Sequence, residues 1–263
     1  MDTKARVAKV GRATGSNAGA PLYRQAKREL QRLIECGHYG PGDTLPSETE
    51  LARALGVSIG TLRRAVDELV HEHLLVRRQG RGTYVTSHTA ERFLFQFFHV
   101  ELRPDAPLDA PGEREYPQVT LVAFARGKAD EMEAAALDRP PGDAVFRIDN
   151  RLSLAGRAVV HDRITVSVAL FKGLTEQHLR ARPGTLYSLY QSEFGITVLR
   201  ARERVRAVAA DADAARILGV PRGQPVLQVH RIALSFGDKP VEYRVSTVHT
   251  AAHDYVSLLP QGR

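Results

Sequence analysis

Apolar residues recur at helical spacing from position 22: Leu22, Ala26, Leu30, Leu33 and Ile34 share one face, and Gly37 stands where a C-terminal cap is expected. After the turn Pro41-Gly42-Asp43, Ser47 and Glu50 make a capping-box pair ahead of Leu51 and Leu55, and Gly56 ends a second, short helix. Ser58 caps a third, in which Leu62, Ala65, Val66, Leu69 and Val70 run i, i+3, i+4, i+7, i+8. The period then falls to two. Residues 74–78 and 83–85 read as strands joined by Gln79-Gly80-Arg81-Gly82, a hairpin with glycines at its tight positions. Three helices followed by a hairpin is the layout of a winged helix-turn-helix.

The first 20 residues show no periodicity and read as a flexible basic tail; the winged unit spans 21–86, and a linker is placed at 87–92. The aromatic run at 93–98 reads as a strand and residues 103–117, with four prolines, as a loop. Beyond them the chain repeats itself. Shifted by 81 residues, Ala134, Leu137, Gly142, Val145, Phe146, Ile148 and Gly156 fall on Ala215, Leu218, Gly223, Val226, Leu227, Val229 and Gly237. Val160, Arg163 and Ile164 fall on Val241, Arg244 and Val245 by the same shift. Each copy reads as a short helix and a hairpin, 145–154 with 159–168 and 226–235 with 241–248. A helix near 186–190 and a long strand at 196–209 lie between the copies. This predicts an α+β domain on an antiparallel sheet, over 93–258.

The chain has 263 residues, 43% of them hydrophobic, enough for two cores. No apolar run approaches the ~18–20 residues of a membrane helix, and the basic N-terminus lacks the apolar stretch of a secretory signal. The single cysteine, Cys36, excludes an intramolecular disulfide and a thiolate zinc cluster, which makes a reducing, cytoplasmic location the expectation; its place on the first helix suggests packing. Net charge is +7, and it is uneven: residues 1–90 hold 14 Lys and Arg against 9 Asp and Glu, the remainder 23 against 21. A basic head on a near-neutral body fits a polyanion-binding module.

The start of the third helix carries Ser58, Thr61, Arg63 and Arg64, where hydroxyls, free backbone N–H groups and the positive helix end suit phosphates, and an Arg fork suits a guanine edge. Arg77, Arg78 and Arg81 add charge on the hairpin. The stretch Pro21-Leu22-Tyr23, Pro41-Gly42-Asp43-Thr44-Leu45-Pro46-Ser47-Glu48, Gly56-Val57-Ser58, Thr61-Leu62-Arg63 and Gly80-Arg81-Gly82-Thr83-Tyr84-Val85 resembles the DNA-binding head of GntR-family transcriptional regulators. The resemblance implies DNA contacts by Ser47, Glu48, Ser58, Thr61, Arg63 and Gly82, with Arg81 beside them. One position departs: the family usually has Arg after the serine of its Gly-Val-Ser element, and here stands Ile59. Ile59 either meets a thymine methyl or packs in the core, and packing is the expectation.

Gly142-x-x-Val145-x-Arg147-Ile148, Phe171-x-Gly173-Leu174, Phe194-Gly195-Ile196 and Pro240-Val241-Glu242-Tyr243 resemble the UTRA ligand-sensing domain of the HutC-like branch, which implies a chorismate-lyase-like fold. Strand parity marks an effector site independently, because a polar group on a core-facing row needs a partner. Asp162 lies among Val160, Ile164 and Val166; Asn150 among Phe146, Ile148 and Leu152; Arg231 among Leu227, Val229 and Ala233. Asp162 either pairs with Arg231 as a structural ion pair or, with it, faces a cavity. Relatives often carry Glu at the position of Asp162 and Arg at that of Asn150. Glu242 fits the family pattern, but parity sets it opposite Tyr243, where solvation is as good a reading. Arg147 lies on the outward row with Asp149 and Arg151, and its site role rests on the resemblance.

His71-Glu72-His73 lacks metal-binding helical spacing, and no cofactor motif is present. The expected protein is a cytoplasmic, homodimeric transcriptional regulator, in the repressor sense usual for the family. Its head binds operator DNA and its body, from 93 to 258, binds a small effector. A lyase-like enzyme with a DNA-binding appendage is the alternative.

Overall fold

A computed structural model describes residues 21–87, 98–103 and 116–257. The chain divides into two compact units, residues 1–87 and 88–263. In the first, α1 (Leu22–Glu35), α2 (Glu48–Leu55) and α3 (Ile59–His71) are followed by β1 (Leu75–Arg78) and β2 (Gly82–Val85). The expected faces close a core of Ala26, Leu30, Leu33, Leu51, Leu55, Leu62, Ala65 and Leu69, while Leu22 is left 60% exposed. The Ser47–Glu50 capping box forms, Ser58 caps α3, and Gly56 ends α2 at φ 68°. Gly37, at φ 75°, follows α1 and returns its N–H to Ile34. Cys36 is exposed at the cap, against the expected packing, because the helix ends at Glu35 and turns it outward.

The segment after Pro41 does more than turn. Leu45 N–H donates to the Thr83 carbonyl (2.8 Å) and Val85 N–H to that of Asp43 (2.9 Å), so residues 42–45 run beside the hairpin through an isolated antiparallel bridge of Thr44 to Tyr84. The hairpin is thereby fixed to the segment leading into α2.

The second unit is a six-stranded antiparallel sheet in the order β4-β5-β6-β9-β8-β7, with a small pair of β3 (Val100–Leu102) and β10 (His253–Tyr255). The large sheet comprises β4 (Gln118–Lys128), β5 (Ala144–Leu154), β6 (Arg157–Ser167), β7 (Arg200–Ala209), β8 (Pro225–Leu234) and β9 (Pro240–Val248). Its two halves correspond. β4 leads into α4 (Glu131–Leu137) and the hairpin β5–β6; β7 leads into α7 (Ala212–Leu218) and β8–β9. Asp130 and Asp211 cap the two helices, and Gly142 (φ 86°) and Gly223 (φ 85°) turn into the two hairpins. The halves join where β6 pairs with β9, with Arg163 opposite Val245.

The 81-residue shift holds from β4 to β5 but not on the returning strands. The first hairpin turns on Ala155 and Gly156, both at positive φ; the second turns through Phe236–Asp238, one residue longer. Ile148 pairs with Ile164 and Val229 with Ser246, so β9 follows β6 by 82. The counterpart of Asp162 is therefore Arg244, not Tyr243. Both hairpins keep a bulge, shifting register after Leu152 and after Ala233.

Helices pack on both faces of the sheet. One face packs on α5 (Glu176–Ala181) and α6 (Leu186–Phe194) through Ile148, Ile164, Val166, Val229, Leu179, Tyr187 and Tyr190. On the other, α4 sits over Val145 and Tyr243, while α7 sits over Val226. The long strand expected from 196 begins at Arg200, and the expected strand at 93–98 lies outside the described residues except for Phe98, which is buried without being strand. Most of the expected loop at 103–117 is also outside them.

Candidate DNA interface and effector site

In the head, Ser58 accepts from Thr61 N–H (3.1 Å) and its hydroxyl meets that of Thr61 at 2.8 Å, so the exposed N-terminus of α3 presents two linked hydroxyls. Arg63, one turn on, donates from Nε to Glu48 (3.0 Å), and Arg77 of β1 donates to the other oxygen of the same carboxylate (3.0 Å). Glu48 therefore ties the helix to the hairpin, and Arg77 is also bonded to Asp67. A concavity of about 370 Å³ lies between α2 and the hairpin, lined by Pro46, Ser47, Glu48, Arg78 and Gly82.

Arg64 points elsewhere, its guanidinium 3.9 Å from the centre of the Tyr23 ring; consecutive helical positions diverge by about 100°, so it does not join Arg63. Arg78 lies over Tyr84, and Arg81 is exposed at the hairpin tip, its carbonyl accepting from the Tyr84 hydroxyl. Gly82 has φ 108°, and a Cβ there would come within 3.6 Å of Thr44. Ile59 corrects the expectation of packing. It is 43% exposed, because the first residue of α3 projects ahead of the face that Leu62 buries.

In the body, the core-facing rows deliver a buried polar band. Asn150, Asp162 and Ser246 lie side by side on β5, β6 and β9; Arg244, Arg231 and Glu203 continue across β9, β8 and β7. Asp162 accepts from Arg244 (2.9 Å) and Ser246 (2.5 Å). The Asp162–Arg231 pairing is not formed: Arg231 turns to Glu203 (2.5 Å), which also accepts from Tyr255. Glu242 is fully buried rather than solvated. It grips Arg244 through Nε and Nη2 (3.0 and 3.2 Å) and accepts from Tyr187 (3.0 Å) and Tyr190 (2.8 Å). Parity had the face right, opposite Tyr243; the packing of α6 over that face, through Tyr187 and Tyr190, makes it interior.

Burial works against the Arg244 charge, and Glu242 and Asp162 more than offset it, leaving its pKa above the ordinary value. Burial, reinforced by Glu242, pushes the Tyr187 and Tyr190 hydroxyls up, so they stay protonated as donors. Asn150 is 2% exposed and its Oδ1 has no hydrogen-bond partner among the described residues, a deficit a native interior rarely leaves. Arg147 stands on the opposite face, held bidentately by Glu133 of α4 (2.8 and 2.6 Å). Sequence reasoning missed Arg244, Tyr187, Tyr190 and Glu203. An 82-residue shift on the returning strand would have exposed the first.

Comparison with known proteins adds to this geometry. Residues 22–85 match the family of bacterial regulatory proteins, gntR family, and residues 113–254 match the UTRA domain, more than half of the chain. The chain belongs to the GntR family of bacterial transcriptional regulators, in its UTRA-bearing branch. This GntR-family chain is 30% identical to the HTH-type transcriptional repressor NagR of Bacillus subtilis over 80% of its length and 83% of the relative's. It is 30% identical to the histidine utilization repressor of Pseudomonas putida, over 84% of its length and 85% of that protein's. Among solved structures, the ligand-binding domain of a putative GntR-family regulator from Bordetella bronchiseptica matches with a TM-score of 0.58 and 34% identity, covering 63% of this chain and 98% of that one. A GntR head joined to a UTRA body makes the protein a DNA-binding transcriptional regulator modulated by a ligand. Among the described residues, no helix is long and apolar enough to cross a membrane.

Proposed function

We propose that the protein is a cytoplasmic, homodimeric repressor whose operator contacts come from Ser47, Ser58, Thr61, Arg63, Arg81 and the Gly82 backbone. The observation that carries this reading is the Glu48 carboxylate shared by Arg63 and Arg77. It pre-orients a groove-facing guanidinium and a hairpin guanidinium, each with N–H groups left for bases and phosphates. Glu48 acts through these arginines and does not itself approach phosphate. Arg64 and Arg78, turned to Tyr23 and Tyr84, supply charge more than readout. A dimer supplies the paired heads that a palindromic site requires, since one short helix reads too few base pairs.

The effector is read by the band around Asn150, Asp162, Glu242 and Arg231. Both buried guanidiniums already have carboxylate partners, and Asn150 stands where relatives often carry Arg, so the site favours a polar effector that donates a hydrogen bond to Asn150 over a phosphate ester. Asp162 and Glu242 are engaged by Arg, Tyr and Ser donors, which supports a receptor and not a catalytic acid–base pair. Effector and DNA communicate by linkage: a ligand that favours one head spacing shifts operator affinity by at most its own differential binding energy, typically ~1–3 kcal/mol. A thermal-shift screen of metabolites, followed by gel shift with the hit, tests the reading. A stabilising ligand that alters operator affinity without being turned over is expected; turnover would favour the enzymatic alternative.

A further inference from the structure

The face of the sheet opposite the effector band carries a groove of about 530 Å³, within the ~300–1,000 Å³ range of small-ligand sites. It crosses the joint between the two halves, and six of its side chains matter: Arg147, Asp149, Arg163, Arg206, His230 and Tyr243. Arg147 is neutralised by Glu133. The other two guanidiniums are not matched in this way. Among the described residues, Arg163 makes a single loose ion pair, with Asp211 at 3.9 Å, stands opposite Asp149 in the β5–β6 register, and makes no side-chain hydrogen bond. Among the described residues, the hydrogen-bond partners of Arg206 are the neutral Gln228 (3.0 Å) and His230 (2.8 Å).

The corresponding positions in the other half carry different groups. The 81-residue shift pairs Arg206 with Ala125 and His230 with Asp149, all of them lining the groove. One end of a quasi-symmetric groove is thus cationic and the other acidic. We propose that the Arg163–Arg206–His230 end binds a small oxyanion group, phosphate or carboxylate, at a site separate from the effector band. The oxyanion would accept from the two guanidiniums, beside an imidazole whose other nitrogen meets the Tyr243 hydroxyl at 2.7 Å. Burial, then Arg206 and Arg163, hold His230 below the usual imidazole range, and an anion would relieve that repulsion.

The test is calorimetric titration of the full chain with inorganic phosphate, pyrophosphate and a dicarboxylate, with the His230 ring followed by NMR. Saturable binding that moves the His230 resonance is expected. It should weaken about tenfold or more in Arg206→Gln and Arg163→Gln, both surface changes, and persist in Asn150→Ala and in the head variant Arg63→Ala. Absence of saturable binding by the wild-type protein would overturn the proposal, as would binding unaffected by the groove variants. Neither result bears on operator recognition, which the head variants test separately.

Discussion

Asp162 and Arg244 occupy corresponding positions in the two halves of the body and hydrogen-bond to each other at 2.9 Å beside the β6–β9 joint. The internal repeat has diverged there into opposite charges, so the joint between hairpins is also an ion pair, with both side chains 5% exposed or less. Desolvating two charges is offset only if each is fully hydrogen-bonded. Here Ser246, Glu242 and the two tyrosines complete the set.

Replacing Asp162 by Asn therefore destabilises the body. Arg244 keeps Glu242, which limits the loss to about 1.5–3 kcal/mol, the range for a hydrogen bond to a charged group. Ser246→Ala removes a neutral donor and costs about 1 kcal/mol. Urea unfolding of the full chain, followed through body tyrosines, should rank the two in that order; equal and negligible losses would mean the pair is not part of the folded core.

Glu48→Gln separates two effects by sign. Removing a negative charge near the phosphates gains a few tenths of a kcal/mol, about 0.5 for a separation of about 8 Å at the dielectric of water. Releasing Arg63 and Arg77 costs about 1–3 kcal/mol if their orientation matters. Fluorescence anisotropy on an operator duplex should show about tenfold weaker binding. Tighter binding would show that Glu48 does not position the arginines.

Ile59 is exposed, so Ile59→Ala should change stability by no more than about 0.5 kcal/mol. Ile59→Arg adds a cation at the start of α3. If it reaches a phosphate, log K against log salt steepens by about 0.9. A large loss of stability in Ile59→Ala would restore the packed reading.

The pH dependence of stability follows from His161, His230 and His253, all held below the ordinary imidazole value chiefly by burial. The folded state prefers their neutral forms. That contribution is complete above about pH 6.5 and is lost as pH falls through the lower folded values, because the unfolded chain takes up protons first. Glu133 and Glu203 act lower. Burial opposes their charge, and Arg147 and Arg231 outweigh it, so their stabilisation persists until pH falls below the usual carboxylate range. Melting temperature should decline between about pH 7 and 5.5, and His161→Gln should flatten that decline. An unchanged slope would mean His161 titrates freely.

The head was legible almost to the residue because its signals are local: the Ser47–Glu50 box, Gly56 and the apolar spacing of α3 each act within one turn. The body was legible in its elements and hairpins but not in its partners. Residues 118–128 went unassigned although the shift that aligns the hairpins maps β4 onto β7. Periodicity cannot say which charge meets Asp162, since that depends on one extra residue in the turn at Phe236–Asp238. Nor could alternation place Glu242, because which face of β9 is interior depends on where α5 and α6 pack, and they cover the row that carries Glu242.

The central claim is sequence-specific recognition by α3 and its hairpin. Selection of bound duplexes from a random pool by full-length protein, in parallel with Arg63→Ala, tests it most directly. A palindromic consensus for the wild type, lost or degraded at specific positions in the variant, is predicted. An unchanged consensus with Arg63→Ala, or no consensus for either protein, would contradict it.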